Sequence, residues 1–400
     1  MKKALVYIQS GGPTAVINSS LYGCIKEAMK HKKEISGIYG SLYGIQGLID
    51  DQLIDLEKEK KETIELLQQT PGAALGTTRF KLPKDIKDPL YGKIIKTLKK
   101  HNIGYVFVNG GNDSMDTCNK LSILFKKIKY DGKVMGVPKT IDNDLAGTDH
   151  CVGFPSAAKY VVNTVKEIAT DARCYKKGKV FIIEIMGRNA GWLTASVDLL
   201  SKETRPDFIY LPENKFNLNE FIKDVKNTFN KKGYCIVALS EGLNIKRDNA
   251  GVRKDAFNHV QLGGAGAYLA KVVEEKLNLP TRSIELSLMQ RAGSILTSKV
   301  DHDEAIECGR VAFLSALKGH TGKMVGIKRI SDKPYKVEYK LLEIGKIANV
   351  EKKIPISMMK NKSEMKESFR AYLEPLIQGC INVKYKKGII ETAVLNRHKI

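Results

Sequence analysis

Short apolar segments alternate along this chain with longer amphipathic segments. Each apolar segment is followed by a polar turn that contains glycine or proline, a pattern typical of β-strands. The apolar segments predict strands at Ala4–Gln9, Tyr105–Val108, Lys133–Val137, Val180–Ile185 and Cys235–Leu239. The amphipathic segments predict helices, and two of them follow a glycine turn, from about Val16 to Lys30 and from about Ser114 to Lys127. Because these strands are apolar on both faces, the pattern predicts an α/β fold with mainly parallel sheets flanked by helices.

The polar turns all follow the carboxyl ends of predicted strands. They are Ser10–Pro13, Asn109–Gly111, the turn that begins at Pro138, Met186–Arg188 and Ser240–Gly242. In parallel sheets these strand ends meet at one edge, and ligands bind there. The shared position of the turns therefore predicts one composite site.

The division into lobes is weakly marked in the sequence. A crossover is expected near His150–Phe154 and a return near Leu288–Gly293. One lobe is then formed by residues 1–153 plus about 290–348, and the other by residues 154–289. Residues 349–400 are left as a C-terminal helical extension, with an amphipathic helix expected at Glu364–Ile377.

Composition excludes several classes of protein. The 400 residues are 42% hydrophobic, which is ordinary for a globular chain of two or three domains, and no apolar run is long enough to span a bilayer. The start, Met1–Gln9, is too short for a secretory signal. The seven cysteines are scattered without the spacing of a zinc site or disulfide framework. We expect a cytoplasmic protein with reduced thiols and no membrane partner.

The net charge of +22 calls for a separate explanation. Lysines supply most of it, in short clusters interleaved with acids and without the aromatic residues of a single-strand binder, so we expect no nucleic-acid partner. Arginine is scarce, yet four arginines lie in glycine-bearing or polar junctions: Arg79, Arg188, Arg282 and Arg291. The planar guanidinium of arginine can donate two parallel hydrogen bonds to a phosphate, so these positions indicate a phosphorylated ligand.

The segment Pro138–Asp144 has the strongest chemical signal. Its sequence, Pro-Lys-Thr-Ile-Asp-Asn-Asp, places two carboxylates, a lysine and a threonine directly after a buried strand. Asp and Asn also cap tight turns, which is the structural alternative. Phosphoryl transfer to an alcohol requires a base, a metal that bridges phosphate oxygens and cations on the phosphates, and this segment supplies candidates for each. The glycine turns at Gly11–Gly12 and Gly110–Gly111 favour a bound phosphate, although each alone is more often structural.

Five motifs follow one another along the chain: Gly-Gly-x-Asp-Ser from Gly110, Pro-Lys-Thr-Ile-Asp-Asn-Asp from Pro138, Met-Gly-Arg-Asn-Ala-Gly-Trp from Met186, Ser-Glu-Gly from Ser240 and Gln-Arg-Ala-Gly from Gln290. Taken in order, they resemble the phosphofructokinase family, and in particular its pyrophosphate-dependent branch. The resemblance runs from Ser10 to about Ala305. It implies two Rossmann-like lobes, with the active site in the cleft between them.

The resemblance implies a role for each matching residue. Asp142 matches the general base for the 1-hydroxyl of fructose 6-phosphate, supported by Thr140, Lys139 and Arg188. The implied sugar-phosphate residues are Thr140, Asp142, Asp144, Lys179, Met186, Gly187, Arg188, Glu241, Arg282 and Arg291. Because Arg282 matches a residue that reaches the 6-phosphate across a subunit interface, a homodimer or homotetramer with shared sites is expected.

The donor lobe, by the same resemblance, is the one that contains residues 1–153. The implied donor-binding residues are Gly11, Gly12, Arg79, Gly111, Asp113, Ser114 and Lys139. Members that use ATP resemble this chain with glycine in place of Asp113 and Lys139. Glycine leaves room for the nucleotide, whereas an aspartate repels its inner phosphate and a lysine holds the second phosphate of pyrophosphate.

Three residues depart from the family pattern. Asn112 replaces a carboxylate associated with Mg²⁺, so Asp113 is expected to be the main metal ligand, with Asn112 a weaker candidate. Lys179 replaces an arginine, and Leu288 replaces a residue that contacts the sugar phosphate. His150 is expected to be a loop or packing residue rather than an acid–base group.

The expected function is transfer of a phosphoryl group from Mg²⁺-pyrophosphate to fructose 6-phosphate, reversibly, in glycolysis. One alternative is an ATP-dependent 6-phosphofructokinase or a kinase of a related sugar phosphate such as sedoheptulose 7-phosphate. An alternative of another class is a non-catalytic regulatory subunit, which the departures at Asn112 and Leu288 suggest and which the intact Asp142 opposes.

Overall fold

The computed structural model describes residues 2–245, 264–361 and 363–400. Its strands are β1 (Lys3–Gln9), β2 (Ile35–Ser41), β3 (Leu53–Asp55), β4 (Ile103–Gly110), β5 (Lys133–Pro138), β6 (Val180–Ile185), β7 (Phe208–Tyr210), β8 (Cys235–Ser240), β9 (Thr281–Glu285), β10 (Lys323–Asp332), β11 (Tyr335–Glu343), β12 (Tyr385–Lys386) and β13 (Ile389–Ile390). Its helices are α1 (Ile17–Ala28), α2 (Ile45–Ile49), α3 (Lys61–Leu66), α4 (Pro89–Lys100), α5 (Asn112–Lys127), α6 (Phe154–Ala172), α7 (Trp192–Ser196), α8 (Leu218–Lys232), α9 (Ala265–Leu277), α10 (Met289–Ala292), α11 (Lys299–Leu317) and α12 (Glu367–Leu373).

The chain divides into two compact units. Unit 1 comprises Met1–Ser156, Arg291–Glu351 and Gly379–Ile400, and unit 2 comprises Ala157–Gln290 and Lys352–Gln378. The last fifty residues are thus shared between the two units. No helix among the described residues has the length and apolar character needed to cross a membrane.

Unit 1 contains a seven-stranded sheet in the order β11-β10-β5-β4-β1-β2-β3. The central strands, from β10 to β2, pair in parallel, whereas β11 and β3 pair antiparallel at the two edges. Successive residues of β1 alternate between two apolar clusters: Leu5 and Tyr7 belong to one, and Val6 and Ile8 to the other. Both faces of the sheet are therefore buried, and the predicted α/β fold is confirmed.

Helices α1 and α11 pack with their backbones in close contact. A Cβ atom on Gly23 would lie 2.0 Å from the carbonyl oxygen of Ile306, and one on Gly309 would lie 1.9 Å from that of Ser20. Glycine is required at both positions because no side chain fits there. Helix α1 follows the Gly11–Gly12 turn, so its packing against α11 fixes the chain directly after that turn.

Unit 2 contains a parallel sheet in the order β7-β8-β6-β9. Its strand β6 is buried along its whole length, as the sequence predicts for a strand covered on both faces. Trp192 is 2% exposed and stacks on Phe369 with ring centroids 6.2 Å apart. The helix expected at Glu364–Ile377 is shorter: α12 ends at Leu373, and a 3₁₀ turn that contains Pro375 follows. Proline has no N–H to continue an α-helix, which explains the early end.

Candidate active site

The predicted site residues fall into two groups, one in each unit. Unit 1 holds Gly11, Gly12, Arg79, Gly111, Asn112, Asp113, Ser114, Lys139, Thr140, Asp142, Asp144 and Arg291, and unit 2 holds Lys179, Met186, Gly187, Arg188, Glu241 and Arg282.

The turn after β5 is held by one backbone hydrogen bond and by two bonds from backbone N–H groups to side-chain oxygens. Thr140 N donates to the carbonyl oxygen of Val152 at 3.1 Å, and Asp142 N donates to Thr140 Oγ1 at 3.1 Å. Asn143 adopts a left-handed conformation (φ 56°), and its Oδ1 accepts a bond from Cys151 N at 2.9 Å. Asn143 therefore stabilises the turn, which is the structural role considered above for the Asp and Asn residues of this segment.

Lys139 is a buried cation beside the first glycine turn. Its side chain is 3% exposed, and Nζ donates to the carbonyl oxygen of Gly12 at 2.6 Å. A Cβ on Gly11 would lie 3.3 Å from this Nζ, and one on Gly12 would lie 3.0 Å from a guanidinium nitrogen of Arg291. Two cations therefore flank the Gly11–Gly12 turn. Gly11 has φ +78°, which a residue with a side chain rarely adopts.

The pKa of Lys139 reflects this environment. Burial is the main cause and lowers the pKa to about 8. Asp142 and Asp144 act in the opposite direction, and the nearby Arg291 and Arg79 lower the pKa further. The turn thus brings a lysine, two arginines and two carboxylates into one electrostatic cluster.

Asn112 and Asp144 form a partly buried pair. Asn112 Nδ2 donates to Asp144 Oδ2 at 3.0 Å, which leaves Asn112 Oδ1 and Asp144 Oδ1 buried without a hydrogen-bond partner. Burial raises the pKa of Asp144, while the bonds from Asn112 and Thr140 oppose that shift. Two unsatisfied buried oxygens are costly alone and suit a hard divalent cation. Among the described residues no group of three or more His, Cys, Asp or Glu side chains could hold a metal.

Asp113, the expected metal ligand, lies in a different environment. Its carboxylate is partly exposed and forms an ion pair with Lys81, with Oδ1 and Nζ 3.3 Å apart. It lies in the first turn of helix α5, whose N-cap residue, Gly111, provides no side-chain cap. The geometry therefore favours Asn112 and Asp144 over Asp113 for a cation. The sequence does not indicate that Lys81 contacts Asp113, because an isolated lysine belongs to no recognisable motif.

The backbone around Gly110–Ser114 leaves little space. A Cβ on Gly110 would lie 2.0 Å from Ser114 Oγ, and Ser114 is 2% exposed. The uncapped N–H groups at the start of α5 are the kind of donor that binds phosphate.

Arg79 follows a segment that is bonded to the first glycine turn. Thr77 Oγ1 donates to the carbonyl oxygen of Gly11 at 2.7 Å, and Gly11 N donates to that of Thr78 at 3.3 Å. Downstream, Lys120 Nζ on α5 donates to the carbonyl oxygen of Leu82 at 2.9 Å. The chain on either side of Arg79 is therefore fixed to the elements that bear the two glycine turns.

In unit 2 the turns after β6 and β8 meet backbone to backbone. Gly187 N donates to Glu241 Oε1 at 3.4 Å, and a Cβ on Gly242 would lie 1.7 Å from the carbonyl oxygen of Arg188. Met186 N donates to Gln290 Oε1 at 3.1 Å. These contacts hold four predicted sugar-binding residues together. Gln290, which fixes Met186, belongs to the Gln-Arg-Ala-Gly motif, but the sequence does not indicate this contact.

Lys179 and Arg282 lie elsewhere. Both are exposed, Lys179 just before β6 and Arg282 in the edge strand β9, where it pairs with Phe181 near the start of β6. Met186 follows the other end of that strand, and at about 3.3 Å per residue β6 separates Lys179 from Met186 by roughly 20 Å. The structure therefore does not bring these two cations to the Met186–Arg188 turn of the same chain.

Comparison with known proteins decides the family. Residues 4–352 match the family model described as phosphofructokinase. The chain belongs to the phosphofructokinase family.

Two relatives of this phosphofructokinase are pyrophosphate–fructose 6-phosphate 1-phosphotransferases. The protein from Halomonas elongata is 37% identical, over 98% of this chain and 96% of its own, and that from Xanthomonas campestris pv. campestris is 40% identical, over 94% and 91%. The crystal structure of a pyrophosphate-dependent phosphofructokinase from Nitrosospira multiformis superposes with a TM-score of 0.90 at 36% identity, covering 100% of this chain and 98% of the other.

Proposed function

We propose that this phosphofructokinase transfers a phosphoryl group from pyrophosphate to the 1-hydroxyl of fructose 6-phosphate. The observation that carries the proposal is the position of Lys139, a buried cation whose Nζ bonds the backbone of the Gly11–Gly12 turn. A lysine that fills the space beside a glycine turn leaves less room for a nucleotide there and supplies a charge for a short inorganic donor.

Asp113 supports the same donor. It places a carboxylate at the start of α5, where the N–H groups favour phosphate. Its negative charge would repel the inner phosphate of a nucleotide, whereas pyrophosphate has no such group to place there. The ion pair with Lys81 holds this carboxylate in position.

We infer that Asn112 and Asp144 hold Mg²⁺ together with the phosphates of the donor, because their unpartnered oxygens fit a hard cation. The ion would neutralise charge on the phosphate oxygens. Asp113 stays a candidate ligand only if its pair with Lys81 opens.

Asp142 is the proposed general base. Its backbone N–H donates a hydrogen bond to Thr140 Oγ1, and the next residue, Asn143, has a left-handed conformation. In the transfer, the carboxylate accepts the proton of the 1-hydroxyl as that oxygen attacks the terminal phosphorus, and phosphate leaves. Lys139 and Arg79 balance the charge on the donor phosphates, and Arg291, which the resemblance assigns to the sugar phosphate, lies beside the same Gly11–Gly12 turn.

Unit 2 provides six of the proposed sugar-phosphate residues, and Thr140, Asp142, Asp144 and Arg291 of unit 1 are the others. Met186, Gly187, Arg188 and Glu241 form one group, in which the Glu241 carboxylate suits sugar hydroxyls. Because Lys179 and Arg282 lie at the opposite end of β6, we propose that they bind the 6-phosphate at a neighbouring subunit's site. The enzyme would then act as a homodimer or homotetramer.

A coupled assay with fructose 6-phosphate and Mg²⁺ tests the donor directly, with either pyrophosphate or ATP added. We expect turnover with pyrophosphate and little with ATP. The Asp142→Ser variant, purified in the same way, measures background activity in both assays. Robust turnover with ATP alone would refute the donor assignment, and binding of the sugar phosphate without turnover with either donor would favour a regulatory subunit.

A further inference from the structure

The tail segment, defined here as Gly379–Ile400, is the last part of unit 1. It contains the β12–β13 hairpin, and near its end Lys399 forms an antiparallel bridge with Ile54 of the edge strand β3. Asp55 N donates to the carbonyl oxygen of His398 at 2.8 Å, which extends this pairing. No motif and no proposed catalytic role explains the segment.

Gln69 holds the hairpin of the tail segment. The residue is 5% exposed, and its Nε2 donates to the carbonyl oxygens of Lys384 at 3.0 Å and Glu391 at 2.8 Å. Its Oε1 accepts a bond from Lys384 N at 2.9 Å. Next to it, Thr70 Oγ1 accepts a bond from Ala393 N at 2.7 Å. The side chains of residues 69 and 70 thus recognise the backbone of the tail segment.

Glu59 is the second anchor. Although 6% exposed, its carboxylate binds the tail segment through both oxygens: Oε2 accepts bonds from Asn396 N at 3.0 Å and Nδ2 at 3.1 Å, and Oε1 accepts one from Arg397 N at 3.0 Å. A carboxylate that meets several donors makes strong, charge-assisted bonds. Glutamine at position 59 would set an amide NH₂ against one of these donors.

The residues that receive the tail segment begin a stretch that leads to Arg79. We call residues 68–79 the donor segment. From its other side, Asn18 of α1 donates to the carbonyl oxygens of Thr70 at 2.9 Å and Gly72 at 3.0 Å, and its Oδ1 accepts a bond from Ala74 N at 2.9 Å. The first half of the donor segment is therefore held between α1 and the tail segment.

The second half reaches the first glycine turn. Leu75 N donates to Gln9 Oε1 at 3.0 Å, and Thr77 Oγ1 donates to the carbonyl oxygen of Gly11 at 2.7 Å. Hydrogen bonds to Asn18, Gln9 and Gly11 therefore hold the donor segment at several points between Thr70 and Thr78, the residue before Arg79. A displacement at the tail segment would pass along the donor segment to the arginine.

We propose that the tail segment is a positioning element for the pyrophosphate site: it fixes the start of the donor segment against α1, so that Arg79 is held at the Gly11–Gly12 turn. The inference rests on the proposed function, since it assigns Arg79 to the donor. It differs from a general contribution to stability, because it requires the effect to fall on pyrophosphate and to spare fructose 6-phosphate.

Two anchor variants, Glu59→Gln and Gln69→Leu, test this, with Glu62→Gln as the matched control. Glu62 is an exposed glutamate on α3, so its variant makes the same change of charge away from the tail segment. Thermal melts identify the folded variants. If Gln69→Leu fails to fold, Glu59→Gln, which keeps the size of the side chain, still gives the answer.

For each anchor variant we expect the KM for pyrophosphate to rise about three- to tenfold, since small displacements of binding groups have effects of this size or larger. The KM for fructose 6-phosphate should stay within about twofold, and the control should match wild type. Hydrogen exchange should become faster in residues 68–78 and remain unchanged in α5. An unchanged KM for pyrophosphate, or an equal rise for both substrates, would overturn the proposal.

Calorimetric titration with pyrophosphate separates this inference from the function on which it rests. If wild type binds no pyrophosphate, the proposed function fails. If wild type binds it and both folded anchor variants bind it equally well, the positioning role alone fails.

Discussion

His150 Nε2 lies 2.5 Å from Glu304 Oε2, and both side chains are buried. The other ring nitrogen, Nδ1, lies 2.8 Å from Asp149 Oδ2, which also accepts a bond from Arg329. Tyr335 donates to the second oxygen of Glu304. The histidine directly precedes Cys151 and Val152, which bond the turn that bears Asp142, so this cluster anchors the chain after that turn to α11.

The first prediction concerns the charge of His150. Burial alone would lower its pKa, but Glu304 and Asp149 more than offset burial and raise it to about 9. Because the folded-state pKa lies above the unfolded value, the charged His150 stabilises the fold. This contribution is fully present below about pH 6.5 and is lost as pH rises through about 9.

The difference in free energy of unfolding between wild type and His150→Gln, measured in urea at several pH values, should therefore shrink between about pH 7 and 9.5 by an amount on the order of 3 kcal/mol, since other titrating groups such as Lys139 are common to both proteins. The His150→Gln variant, which cannot titrate, should be less stable at neutral pH and should show a flatter curve over this range. Parallel curves for the two proteins would contradict the assignment.

The second prediction concerns Lys139, whose lowered pKa of about 8 makes it partly neutral in mild base. Since a neutral amine cannot pair with phosphate, kcat/KM for pyrophosphate should fall several-fold between about pH 7 and pH 9. In Lys139→Met, the value at neutral pH should be about 10- to 100-fold lower, as expected for a lost charge-assisted bond.

The variant also provides the control for this pH dependence. Pyrophosphate itself ionises in both assays, so only the fall that is absent from Lys139→Met belongs to the lysine. An identical pH profile in both proteins would argue against this role.

The third prediction concerns Asn112, which donates to Asp144 across 3.0 Å. In Asn112→Asp two carboxylates would face each other. The affinity for a cation should therefore rise, and the protein without the cation should be less stable because the two negative charges repel each other. The increase in Tm on replacing EDTA by Mg²⁺ should be larger in this variant than in wild type. Asn119→Asp, about two turns further along the same helix, is the control, and an equal increase in both variants would be evidence against the site.

The fourth prediction concerns the base. Asp142→Ser should lower kcat by about 10²- to 10⁴-fold, the usual contribution of a positioned base, because serine cannot accept the proton of the 1-hydroxyl. Fructose 6-phosphate should still bind with nearly wild-type affinity in a calorimetric titration. Wild-type turnover in this variant would assign the base to another residue.

The strands and helices near the site could be predicted from the sequence because their signals are local. The predicted Val180–Ile185 strand is β6 itself, and the apolar run ending at Val137 is β5, extended by one residue to Pro138. Each strand is buried on both faces, and each ends at a turn with glycine or proline, so pattern and structure coincide.

Other features depend on contacts between distant parts of the chain. Nothing near Lys81 indicates its pair with Asp113, and nothing in Gln69 indicates its bonds to residues 384 and 391. The sequence predicts a loop or packing role for His150, and the residue is buried, but its two carboxylate partners include one that is 154 residues away. Such pairs follow from the fold and have no local signature.

The last prediction tests the packing of α1 on α11. Alanine normally stabilises a helix relative to glycine by roughly 0.5–1 kcal/mol. A Cβ atom on Gly92 of α4 would point into open space, with no heavy atom outside its own helix within 4 Å, so Gly92→Ala should give that gain. At Gly309 the same methyl group would lie 1.9 Å from the carbonyl oxygen of Ser20, and backbone atoms cannot rotate away as a side chain can.

The helix axes would have to separate, which typically costs about 1–3 kcal/mol and exceeds the gain in propensity. We therefore expect urea denaturation to show Gly309→Ala destabilised and Gly92→Ala stabilised. Because α1 follows the Gly11–Gly12 turn, Gly309→Ala should also raise the KM for pyrophosphate, whereas Gly92→Ala should not. Stabilisation by both substitutions would mean that the two helices are not in backbone contact.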